Sequence, residues 1–160
     1  EWGIINTYDN YLFEMLILET FQAGLSWECI LNKRKYFKEA FDNFDIDKIC
    51  HYDEAKINEL LCNKDIIRNK LKIKSTIGNS NIFKEIQNEY GSFYNYIKSF
   101  THGKIIYEND KTVNSLSDTL SADLKKRGMR FVGSTIIYSY LQAIGVIYSH
   151  DNECFLYKSN

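Results

Sequence analysis

LILETFQAGLSWECI, residues 16–30, reads as the end of one helix, a tight turn and the start of a second helix. Just before it, Leu12 and Phe13 join Leu16 and Ile17 at the spacing that buries one helical face, which sets Glu19 among apolar neighbours. Gln22-Ala23-Gly24 closes that helix, with Gly24 suited to a left-handed C-terminal cap. Ser26 is a good N-cap for a second helix whose first residue is Trp27. A carboxylate and an indole therefore flank one turn. Two readings stand: an exposed helix glutamate beside a core tryptophan, the ordinary case because Glu is rarely buried, or a planar ligand held between the two.

Working outward, the 160 residues are 44% hydrophobic and 15% aromatic, enough for one domain with a real core over 1–160. The first helix is expected to start near Asp9 or Asn10, capped by either, and to end near Ala23. The second runs through Ile30, Leu31, Phe37 and Phe41 against the first, with Lys33, Arg34 and Lys35 outside. Asp45 and Asp53 read as N-caps of short helices over 46–51 and 54–62. Apolar residues from Ile66 to Ile86 suit one long helix or two joined ones, lysines outward, stopping before Gly91. Ser92 caps a short aromatic helix, and 101–114 reads as an irregular polar loop. With no period-two run, repeat or linker, the class is all-α.

A formal net charge of −1 argues against a protein that coats nucleic acid, since such binding draws on counterion release at many phosphates. A local basic patch remains open. Lys64, Arg68, Lys70, Lys72 and Lys74 form one run, and Lys125, Lys126, Arg127 and Arg130 surround Gly128. Either is also readable as a solvated helix face. Cys29, Cys50, Cys62 and Cys154 lack disulfide-framework spacing, which fits a reducing cytoplasm. Neither a secretory h-region nor a membrane-length apolar span occurs, so no membrane association is expected. The opening Glu1-Trp2-Gly3, without an initiator Met, reads as a chain lacking a short natural N-terminal segment.

Residues 115–145, SLSDTLSADLKKRGMRFVGSTIIYSYLQAIG, read as helix, glycine-bounded turn, helix. Ser117 is the expected cap of the first helix and Gly128 its end. Gly133 permits close backbone approach, and Ser134 or Thr135 opens the second helix. Amides at that N-terminus face outward, towards an anion. Such a hairpin grips a DNA phosphate through backbone N–H groups, assisted by Lys125, Lys126, Arg127 and Arg130; an ordinary αα-hairpin is the alternative. Finally, His150 and Cys154 stand four apart, a spacing that supplies half of a tetrahedral zinc site.

Taken together, Glu1-Trp2-Gly3, LFEMLILETFQAGLSW (12–27), IIRNKLKI (66–73), LKKRGMRFVGSTIIYSYLQAIG (124–145), and His150 with Cys154 resemble the 3-methyladenine DNA glycosylase I family. The resemblance covers nearly the whole chain and rests on the order and spacing of these pieces. It implies a helical, monofunctional base-excision enzyme with a helix-hairpin-helix motif, which flips 3-methyladenine out of alkylated double-stranded DNA and releases the free base. The family's base-reading glutamate falls on Glu19, the expected catalytic and substrate-binding residue, with Trp27 and Trp2 stacking on the base. Gly128, Gly133, Ser134 and Thr135, with the four bases around them, are the expected DNA contacts of a monomeric protein. The family's structural zinc is implied for the full-length protein, with His150 and Cys154 as half of its ligand set, because the segment carrying the other two is absent before Glu1. Two further departures are Asp65 in place of a glycine and Lys98 in place of a tryptophan.

Overall fold

The computed structural model describes residues 3–149. Among them, eight α-helices are α1 (Asp9–Gln22), α2 (Trp27–Ala40), α3 (Ile46–Ile49), α4 (Glu54–Cys62), α5 (Lys70–Tyr90), α6 (Phe93–Thr101), α7 (Ser115–Arg127) and α8 (Ser134–Ala143). Local capping explains most boundaries. The side chains of Ser26, Asp45, Asp53 and Ser92 each accept a bond from the backbone N–H three residues on, as their positions predict. The expected all-α class holds, with one small addition. Within 101–114, β1 (Ile106–Tyr107) pairs in parallel with β2 (Ile147–Tyr148). No helix among the described residues is long and apolar enough to cross a membrane.

The central element is α1. Its ten residues from Leu12 to Phe21 are all buried, because α2, α5, α6 and α8 pack around it. The expectation of one buried face was therefore too narrow, and two glutamates go into the core with the helix. Glu14 is met by Arg34, whose Nε donates at 2.6 Å, and by Lys38 at 3.4 Å. Arg34 thus turns inward rather than outward, because a buried carboxylate is costly without a partner. Asp9 does not cap its own helix. It accepts from the backbone N–H of Phe93 at 3.1 Å and from Gln87 at 2.7 Å, tying α1 to the start of α6.

Three other expectations change. The long helix begins at Lys70 rather than Ile66, with Asn69 as its cap. Lys72 faces inward, only 7% exposed. Asn114, rather than Ser117, caps α7; Ser117 returns the bond to the Asn114 N–H, closing a reciprocal capping box. At the end of α8, Gly145 has φ +80°, and a Cβ there would come within 2.5 Å of the Ile5 nitrogen. Only glycine lets residues 3–5 cross so closely.

Candidate functional site

The turn after α1 opens into a cavity of about 310 Å³ lined by Glu19 and Gln22 of α1, Trp27 of α2, and Ser139 and Gln142 of α8. Its walls follow from local structure. Glu19 lies one turn before the end of α1, and the Ser26 cap starts α2 so that Trp27 faces back across the gap. The cavity size is that of small-ligand sites.

Glu19 is 2% exposed, which removes the reading of a solvated helix glutamate. Its Oε2 has no hydrogen-bond partner among the described residues. Burial pushes its carboxyl from the ordinary 4.5 up to about 8. An unpartnered buried acceptor on a cavity wall is expensive to keep, and such groups cluster at functional sites. With the half-buried Trp27 packed on the core beside it, the site offers a flat apolar face and a carboxylate in a low dielectric. That combination suits a planar ligand with N–H donors, above all a cationic one. Ser139 and Gln142 were not expected here. They stand three apart on a helix read mainly for its apolar residues, and that polar i, i+3 pair was the available signal.

The second expected site is the hairpin between α7 and α8. Gly128 ends α7 with φ +105°, and the Met129 N–H returns to the Leu124 carbonyl at 3.0 Å. Ser121 holds the Val132 carbonyl at 2.6 Å. Gly133 is the N-cap of α8, with no side-chain cap bond and open space where its Cβ would be. Ser134 is partly enclosed, its hydroxyl donating to Asp118 and lying 2.8 Å from that of Ser117. Lys125, Lys126, Arg130 and Thr135 are exposed.

Arg127 departs from its expected place among the outward cations. Its guanidinium donates to Asp123 at 2.8 Å and to Glu89 at 2.7 Å, and stands over the rings of Tyr96 and Tyr90. The Tyr96 hydroxyl, which donates to Asp123 at 2.6 Å, and then Arg127 hold the Asp123 carboxyl below its usual range against burial, and the Arg127 bond does the same for Glu89. Arg127 is a brace between α5 and α7, since a guanidinium committed to two carboxylates has little left for a phosphate. Trp2, His150 and Cys154 lie outside the described residues. Among the described residues, no group of three or more His, Cys, Asp or Glu is placed to hold a metal ion.

With this geometry in place, the comparisons with known proteins are specific. The family model for methyladenine glycosylases matches residues 1–157. The DNA-3-methyladenine glycosylase 1 of Escherichia coli (strain K12) is 37% identical over 166 residues, covering 100% of this chain and 89% of its own. A crystal structure of 3-methyladenine DNA glycosylase I superposes with a TM-score of 0.93 at 37% identity, covering 99% of this chain and 90% of that one. The Staphylococcus aureus 3-methyladenine DNA glycosylase I, whose structure concerns 3-methyladenine recognition, superposes with a TM-score of 0.93 at 30% identity, covering 99% of this chain and 88% of that one.

Proposed function

Because the chain belongs to the methyladenine glycosylase family, we propose that it is a monofunctional DNA-3-methyladenine glycosylase of base-excision repair, which flips and hydrolytically removes 3-methyladenine from alkylated DNA. The observation that carries the reading is Glu19, buried with an unpartnered carboxylate oxygen on the wall of a base-sized cavity beside Trp27.

The chemistry follows from the substrate's charge. An adenine methylated at N3 within DNA is cationic, so when the N9–C1′ bond breaks, its electron pair flows into the ring and the base leaves neutral. Water then adds to the sugar cation at C1′ and gives up a proton to solvent, leaving a hydroxyl there. A leaving group already charged in this way needs little acid catalysis, so the main tasks are extrusion and selection. Trp27 stacks on the extruded base, with Trp2 as a second stacking candidate. Glu19 accepts from the adenine exocyclic amine and offsets the base's positive charge. Normal adenine, which lacks that charge, gains less from a carboxylate in a low-dielectric wall.

The hairpin from Gly128 to Thr135 serves as a helix-hairpin-helix phosphate grip. The uncapped first amides of α8 and the open space at Gly133 favour a phosphate there, with Lys125, Lys126 and Arg130 around it. His150 and Cys154 would supply half of a structural zinc set. The protein acts as a monomer in the cytoplasm, away from membranes. The test is incubation with methylated DNA and chromatography of released bases. Free 3-methyladenine is the expected product, and DNA binding without any released base would reduce the protein to a binding module.

A further inference from the structure

The base pocket and the hairpin are built from different elements, yet a glycosylase must hold the DNA backbone and the extruded base at one fixed separation. Two side chains of α5 reach one to each. Asn79, 2% exposed, uses both ends of its amide on a single hairpin residue. Its Nδ2 donates to the Arg130 carbonyl at 3.0 Å, and its Oδ1 accepts from the Arg130 N–H at 3.0 Å. Lys72, seven residues earlier, donates from Nζ to the carbonyls of Phe21 at 2.9 Å and Ala23 at 3.0 Å, the end of α1 that carries Glu19 and Gln22. The same ammonium lies 5.9 Å from the ring of Phe131, which sits in the hairpin with φ +58°.

Seven residues are two helical turns, so Lys72 and Asn79 share one face of α5, about 10 Å apart along its axis. We infer that Lys72 and Asn79 are positioning residues that use α5 as a rigid spacer to set the distance between the base pocket and the phosphate-gripping hairpin. Burying Lys72 is a poor choice for stability alone. Its ammonium has no ion pair to a carboxylate among the described residues, and desolvation lowers its pKa. An apolar side chain would cover the end of α1 without that cost. What an apolar side chain lacks is directional bonding, which fixes the turn in one place. Asn79 supplies the same on the other side, satisfying an N–H and a C=O that the hairpin leaves without helical partners. A misplacement of about 1 Å between such parts costs on the order of a hundredfold in rate.

The inference rests on the glycosylase reading, and the two fail differently. Lys72→Met, Lys72→Arg, Asn79→Asp and Asn79→Leu in the full chain are compared with the parent in three assays: titration of free 3-methyladenine, binding of undamaged duplex, and single-turnover release from methylated DNA. Lys72→Met and Asn79→Leu should leave the two binding constants within about threefold of the parent while slowing release by about tenfold or more. Lys72→Arg, which keeps donors, should recover most of the rate, and Asn79→Asp, which keeps an acceptor for the Arg130 N–H and loses the donor to its carbonyl, should fall between. Rates equal to the parent's overturn the inference. So does a loss of release matched by equal losses in both binding assays, which would make the two residues general supports. A parent that releases no base sinks the functional reading itself.

Discussion

Replacing Glu19 with glutamine should stabilise the protein at neutral pH. In the folded chain burial holds the Glu19 carboxyl protonated up to about 8, whereas an ordinary glutamate ionises at 4.5. Below 4.5 both states carry the proton and the group does not affect folding. From there to about 8 only the unfolded chain releases it, so stability falls with rising pH by about 1.4 kcal/mol per pH unit. The loss reaches about 3 kcal/mol at pH 7 and levels off near 5 kcal/mol above pH 8. Glutamine has the shape of the protonated acid and never ionises, so the difference between the two proteins should grow from near zero at pH 4.5 along the same curve. Urea unfolding of both proteins from pH 5 to 9 reads it. Parallel stability curves over that range would mean that the carboxylate is solvated, and the pocket argument would fail.

The same group should govern activity in the opposite sense. A cationic base needs the ionised carboxylate, so kcat/KM on methylated DNA should rise with pH to a plateau above about 8. In Glu19→Gln the profile should be flat, and above about pH 8, where the parent's carboxylate is ionised, affinity for free 3-methyladenine should be lower by about ten- to a hundredfold, the worth of a charge-assisted hydrogen bond. Equal affinity in both proteins would make Glu19 a bystander.

Gly133→Val should fold, because the space at that Cβ is open, and should weaken binding to every duplex by about tenfold or more through obstruction of one phosphate; undiminished binding of undamaged duplex by the folded variant would remove the phosphate-grip assignment. Gly145→Ala should destabilise by about 2–5 kcal/mol, from a strained positive φ and overlap with the Ile5 backbone, and a melting temperature equal to the parent's would refute it. On the proposed zinc set, any zinc the protein holds should be weakened in Cys154→Ser, which removes one of the proposed ligands; tight one-to-one zinc persisting in that variant would place the ligands elsewhere.

The sequence alone determined the features that depend on neighbours within about one helical turn. Ser26, Asp45, Asp53 and Ser92 cap the helices they precede, and Gly24 and Gly128 take the left-handed conformation at helix ends. Both follow from backbone groups a few residues away. The order of helices and the meeting of Glu19 with Trp27 across one turn were legible for the same reason. Tertiary structure decided what apolar periodicity cannot report, namely how many neighbours cover a helix. Because packing closes around α1 on every side, Glu14 and Glu19 are both buried; Glu14 finds Arg34, while Glu19, on the cavity wall, keeps Oε2 without a hydrogen-bond partner among the described residues. Asp9, Lys72, Asn79 and Arg127 all look like surface polar residues in sequence. Each is spent on a partner from another element, and the fate of a polar group depends on that partner, which only the folded chain supplies.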